Sequence, residues 1–273
     1  MANLRILYEN TTDDATLSVS SQTGALGAAN LLTDIKTEVW RATSAAANIT
    51  ATWPAGKFIN MVALPFCSLS PSATIRVQCF TLSTDVSPVL DTGAVLAGGA
   101  EPLRFGALPV GVNAYSYGGG SYGTVYFSKV VAQKVVISLN DASNALGYVE
   151  CSRLVTGTYW SPETNADYGV EVVSEDTSKH ERSDAGNLTT ERGIIYKTMS
   201  LDLGMMPSAD RDTAWRIVRG NGKFRPLFLS LSPDSADTGE EQIFQIYGKL
   251  GNSGAMRYQF HNQYNTKLQI EEI

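Results

Sequence analysis

The chain of 273 residues is poor in the groups that most chemistries need: two histidines, three cysteines and 18% charged residues. Cys67, Cys79 and Cys151 have no paired spacing and no C-x-x-C, which argues against both a disulfide framework and a zinc site. Cys79 alternates with Ile75 and Val77, and the cysteines read as small buried hydrophobes. No run reaches the roughly 18 apolar residues of a spanning helix, so no membrane insertion is expected. The opening, MANLRILYENTTDD, lacks the basic-then-apolar build of a secretory signal, and synthesis in the cytoplasm is expected. A net charge of −6 supplies no clustered Lys and Arg for phosphates, so no specific nucleic-acid binding is expected.

Catalytic signatures are missing as well. Neither His180 nor His261 stands beside a nucleophile motif, and there is no G-x-S-x-G or H-E-x-x-H. Gly118-Gly119-Gly120 precedes no Lys-Ser or Lys-Thr and cannot be a phosphate cradle. Acidic residues gather in polar stretches, where carboxylates are ordinarily solvated. Asn140-Asp141 with Asn144 has the composition of a tight turn as much as of a calcium loop. No enzyme and no cofactor are expected.

What the chain has is 43% hydrophobic residues and many Gly, Ser, Thr and Ala, the material of short strands joined by turns. Its length favours two domains. Leu4 to Tyr8 and Ala15 to Ser20 read as short strands. Ile49 to Trp53 alternates with a period of two; Pro54-Ala55-Gly56-Lys57 reads as a turn, and Ile59 to Phe66 as a strand covered on both faces. Thr74 to Leu82 alternates again. Ser83 to Gly123, with Tyr115, Tyr117 and Tyr122 around a triple glycine, reads as a long excursion whose tyrosines are candidate contacts. Strands return at Thr124 to Ser128, Lys134 to Leu139 and Gly147 to Val155. Pro162-Glu163-Thr164-Asn165 is the linker candidate, dividing the chain into residues 1–162 and 163–273.

The second part begins with a strand at Val170 to Val172 and a charged run, Ser174 to Thr190, read as a loop. Lys179, His180, Glu181 and Arg182 in it are candidate subunit contacts. Gly193 to Leu203 alternates over its second half. One helix is expected at Ser208 to Arg219, capped by Ser208, with Arg211, Ala214, Trp215 and Val218 on one face and stopped by Gly220-Asn221-Gly222. Strands at Pro226 to Leu231, Phe244 to Leu250 and Leu268 to Ile273 complete the pattern, with an acidic loop carrying Asp234, Asp237, Glu240 and Glu241 between the first two.

Several segments carry a family resemblance. Asn30-Leu31-Leu32, Glu38-Val39-Trp40-Arg41, Met61-Val62-Ala63-Leu64 and Ser68 to Val77 resemble the opening half of galactose-binding-like (discoidin-type) β-sandwiches. That implies a jelly-roll sandwich over about the first 160 residues. It places Trp40, Arg41 and Tyr148 near one end, as glycan contacts or as residues that lock a loop. With Gly157 to Pro162, Asp176 to Ser183, Arg219 to Gly222 and Gln245 to Leu250, the whole chain resembles the distal tail proteins of long-tailed phages. The implied protein is mainly β: the galactose-binding-like sandwich plus a smaller tail-tube-like β domain with one helix. The implied role is structural, in the virion tail tip. A homo-oligomeric ring would join the tail tube protein to baseplate hub proteins. The alternative is a carbohydrate-binding module contacting a host-surface glycan.

Overall fold

The computed structural model describes residues 3–98, 120–235, 237–252 and 254–273. The strands in chain order are β1 (Arg5–Leu7), β2 (Thr16–Val19), β3 (Trp40–Arg41), β4 (Ala46–Cys67), β5 (Thr74–Phe80), β6 (Leu90–Leu96), β7 (Ser121–Asn140), β8 (Glu150–Cys151) and β9 (Val155–Gly157). Next come β10 (Glu171–Asp176), β11 (Lys179–Arg182), β12 (Leu188–Glu191), β13 (Ile195–Met206) and helix α1 (Ser208–Asn221). Then β14 (Leu227–Ser230), helix α2 (Thr238–Ile243), β15 (Gln245–Leu250), β16 (Met256–Phe260) and β17 (Gln263–Glu272) end the chain. The protein is mainly β.

The chain forms two compact units: Met1–Pro162 with Leu227–Gln245, and Glu163–Pro226 with Ile246–Ile273. The first is a β-sandwich built on two long antiparallel strands, β4 and β7. Their N- and C-terminal halves serve different layers. Ala46 to Thr52 of β4 pairs Asn140 to Lys134 of β7, flanked by β2 on one side and by β5 and β6 on the other. Lys57 to Cys67 pairs Ala132 to Ser121, with β9 and β8 on the opposite edge of β4. Ile49, Trp53, Ile59, Val62 and Leu64 of β4 meet Val125, Val135 and Ile137 of β7 in one core.

Four expectations are corrected here. Pro54-Ala55-Gly56-Lys57 is not a turn between strands: β4 runs through it, with a register shift between Thr52 and Lys57 that bends the strand. Such a bulge tolerates proline because the ladder is interrupted there anyway. In the same way the two stretches around Phe127 and Val136 are one strand. The long excursion contains the strand β6; Tyr115 and Tyr117 lie outside the described residues. Tyr122 is no surface contact. It is 2% exposed and packs its ring against Phe66 and Phe228, at 5.7 and 6.0 Å.

The segment Leu227–Gln245 was read from sequence as part of the second domain, yet it packs with the first unit. β14 pairs β1 in register Ile6 to Leu229. The acidic stretch expected to be a loop contains α2, whose first turn is capped by Asp237 accepting from Gly239 and Glu240 N–H. One residue of α2 finishes a strand edge. The Gln242 carboxamide accepts from Tyr122 N (3.0 Å) and donates to Tyr122 O (2.7 Å), standing in for the missing neighbour of β7. These bonds, not sequence order, assign the segment.

In the second unit β13 pairs β10 on one side and β17 on the other, and β17 also pairs β15 and β16. Helix α1 lies against β13 and β17. It starts after Pro207, so Ser208 is its first helical residue and not its cap. Its inward face is Asp210, Ala214, Ile217, Val218 and Asn221, while Trp215 points outward at 48% exposed. Arg211 stacks on Tyr264 (4.5 Å) and donates to its hydroxyl (2.7 Å). The charged run is not a loop but the hairpin β11–β12, which prolongs the β10–β13 ladder. Gly193 permits the crossing, since a Cβ there would lie 2.4 Å from the Thr177 carbonyl carbon.

One buried charge holds the sandwich end together. The Arg153 side chain is 3% exposed; it pairs with Asp13 and with Asp34 (3.3 Å) and donates to Leu31 O (3.3 Å). It thereby ties two 3₁₀ turns, Thr11–Asp14 and Ala28–Leu32, to the strand end after β8. Arg153→Ala is expected to cost about 3 kcal/mol, with Arg153→Lys recovering only part because the fork is lost. Urea unfolding monitored by tryptophan fluorescence checks this; an unchanged midpoint would contradict it.

Candidate functional site

The Trp40-Arg41 pair that stands out in the sequence forms β3, opposite β8 in register Trp40 to Cys151 and Arg41 to Glu150. Alternation along a strand sends the two side chains to opposite faces. Trp40 goes inward: it is 0% exposed, and its indole N–H donates to Ser21 O at 3.0 Å. Asn30 holds the preceding residue by donating to Val39 O at 2.7 Å. Trp40 therefore locks a loop and offers no ring to a ligand.

Arg41 goes outward and is fixed from three sides. Its Nε and Nη2 both approach Glu150 Oε2 at 2.8 Å, and its guanidinium lies 4.4 Å over the Tyr148 ring. Its backbone N–H donates to Leu26 O and its carbonyl accepts from Thr23 N. The Arg41 and Glu150 side chains are 33% and 23% exposed. Among the described residues, no hydrogen bond engages Arg41 Nη1 or Glu150 Oε1. The result is a neutral ion pair that keeps one guanidinium nitrogen and one carboxylate oxygen for other partners, next to an aromatic ring. Such a corner offers hydrogen bonds of both senses to neutral hydroxyls and no net charge to a charged ligand. Sequence reasoning named Arg41 and Tyr148 but missed Glu150. Its signal is the period of two from Tyr148, which puts both on one face.

On the near side of the sandwich, the Asn140–Asn144 turn has a task of its own. Asp141 is 1% exposed; its carboxylate accepts from Ser70 N (2.8 Å), Asn144 Nδ2 (2.9 Å) and the Ser70 hydroxyl. Its oxygens are thus committed to protein donors. Among the described residues no group of three His, Cys, Asp or Glu side chains could hold a metal ion.

A concavity of about 520 Å³ lies in the same unit, lined by Leu90, Val95, Leu96, Tyr126, Asp234 and Glu241 among others. Glu241 is 8% exposed, and its Oε1 accepts from Thr124 (3.3 Å) and Gln245 (2.5 Å). Burial, which those two bonds and Arg5 only partly offset and Asp234 reinforces, raises its pKa to about 7. Arg5 itself pairs with Asp234 at 3.1 Å and stacks on Tyr126 and Tyr159.

The sequence-named contacts of the second unit are all on β11, where Lys179, His180, Glu181 and Arg182 are exposed. His180 Nδ1 meets Thr190 Oγ1 at 2.9 Å, and Arg182 donates to Gly186 O at 3.1 Å.

Comparison with known proteins adds solved structures only. No protein-family model and no curated protein matches the chain. Among solved structures it is similar to a chitosan-binding module of a chitosanase/glucanase from Paenibacillus sp. IK-5, at 16% identity over 55% of this chain and 99% of that one, with a TM-score of 0.38. It is similar to CpGH89CBM32-5 from Clostridium perfringens, solved with GalNAc-β-1,3-galactose (11%, 54% and 97%, TM-score 0.39). It is similar also to the family 32 CBM of C. perfringens NanJ, solved with galactose (12%, 57% and 99%, TM-score 0.38). These matches are carbohydrate-binding modules.

The Glu241 environment gives a pH signature. A carboxyl whose pKa is raised on folding binds its proton more tightly in the folded state. Its contribution is therefore fully present below about pH 4.5 and declines as pH rises to about 7. Glu241→Gln keeps an acceptor oxygen without the charge. The variant is expected to melt several degrees higher than the parent at pH 8 and equally at pH 4. Calorimetry at the two pH values checks this, and an equal Tm at pH 8 would contradict it.

Proposed function

We propose that the first unit is a non-catalytic binding module for a neutral saccharide, held at the Arg41–Tyr148–Glu150 corner. The observation that carries this reading is the fixed, half-exposed ion pair with a free donor and a free acceptor beside an aromatic ring. Its rigidity comes from Trp40 beneath and from the 23–26 turn alongside, so little ordering cost falls on binding. Recognition by one such corner is weak for a single sugar, in the range of about 0.1–1 mM. Several copies on one particle would raise it by avidity.

A second reading follows from the hairpin of the other unit. Every residue of β11 and β12 is exposed, and Ile194 and Ile195 at its root are 70% and 59% exposed. A two-stranded ribbon with nothing packed on it is marginal in water. Lys179 stands opposite Glu191, and Arg182, Glu181 and Asp184 add both signs of charge, which suits a second copy of the same chain. Such a self-contact is what a ring subunit of a phage tail tip would need. The two readings are compatible: a ring would multiply the saccharide corner.

A glycan array probed with the whole protein tests the first reading. Binding is expected to fall at least tenfold with Arg41→Ala and with Tyr148→Ala. Absence of any hit, or hits indifferent to Arg41, would contradict it. Light scattering tests the second. A mass of several chains is expected, falling to one chain when residues 178–186 are replaced by a two-residue turn; an unchanged assembly would remove the hairpin from the contact.

A further inference from the structure

The three cysteines have no paired spacing in sequence, but the fold puts two of them side by side. β4 meets both β7 and β8 at the same residue, Cys67, whose partners are Ser121 and Cys151. A register shift between Leu64 and Cys67 makes this possible, with Phe66 in the left-handed region at φ 56°. A bulge of this kind re-aims the next side chain. Directly opposed residues of antiparallel strands project to the same face with Cα atoms roughly 4.5–5.5 Å apart. That is inside the roughly 4.4–6.8 Å window a disulfide requires. Cys79 lies elsewhere in the core, opposite Val135 and Leu90.

We propose that Cys67 and Cys151 are a disulfide site, closed when the chain folds under oxidising conditions and open as two thiols in a reducing one. In the structure all three cysteines are free thiols. Cys67 is 2% and Cys151 1% exposed, so an oxidant does not reach them in the folded protein. Burial also holds both thiols up, away from the reactive thiolate, and Cys67 adds to the rise at Cys151. The bond is therefore made during folding, before the second layer closes over β8. Glutathione disulfide serves as oxidant: two S–H bonds become one S–S bond, and two protons and two electrons pass to glutathione disulfide, giving two glutathione molecules.

The consequence falls on the candidate corner. Cys151 is the neighbour of Glu150, which holds Arg41, and it stands opposite Trp40. The bond would fasten β8, a strand of two residues, covalently to β4 at the base of that corner. It would also close a long loop of the unfolded chain, a gain in stability.

The test is to refold the full chain from denaturant in a glutathione redox buffer, then alkylate under denaturing conditions and map peptides by mass. The expected result is one free thiol, Cys79, a Cys67–Cys151 peptide pair, and a Tm about 10 °C above the reduced protein. Cys79→Ser is expected to retain the bridge and Cys67→Ser to lose it. Three free thiols in refolded protein, or a bridge that includes Cys79, would overturn the proposal. Should refolding fail, the same count on protein expressed in a bacterial periplasm decides between the same two results.

Discussion

The first unit depends on the pairing of β4 with β7. Each strand is long enough to serve both layers, so one antiparallel ladder, interrupted at Thr52 to Lys57 and again at Ile59 to Met61, becomes two sheets facing each other. The shorter strands hang from that pair: β2, β8 and β9 on β4, and β5 on β7. The interruptions are what let a single ladder fold over its own core, because a bulge adds bend and twist where a regular ladder would stay open. Long-range pairings of this kind carry a loop-closure cost on top of the ordering of each residue. The residues that repay it are the apolar ones on the facing halves, Ile49, Trp53, Val62, Val125 and Ile137.

The candidate corner inherits its rigidity from this frame. Buried Trp40 and Arg153 each satisfy a polar end inside the protein while filling space, so the loops at that end are tied by hydrogen bonds to Ser21 O and Leu31 O. What remains for solvent is the outward face of the same short strands, where Arg41, Glu150 and Tyr148 stand together. A tryptophan conspicuous in the sequence and a ligand contact are thus separated by one residue and by the thickness of a sheet.

Local pattern made part of this legible. Alternation revealed the strands through Trp53, Ile75 and Leu201, and the burial of Cys79 followed from the same period. Helix α1 is legible over Ser208 to Arg219, though the pattern puts Trp215 inward where Ile217 belongs, because tertiary contact and not the moment alone chooses the face. Long-range facts were not readable. Nothing around Pro54 says that a strand continues through a bulge. Nothing local says that Leu227–Gln245 returns to the first unit, since Gln242 pairs with the backbone of Tyr122 across 120 positions. The juxtaposition of Cys67 and Cys151 hangs on a register, which sequence spacing does not encode. The tail-tip role rests on resemblance alone.

The most direct test of the central claim is to titrate ¹⁵N-labelled protein with neutral saccharides and follow amide and Arg side-chain resonances by NMR. The account predicts saturable shifts at Arg41, Tyr148 and Glu150 and in the adjoining 23–26 turn. Shifts confined to other surfaces, or none with any saccharide up to several millimolar, would contradict it.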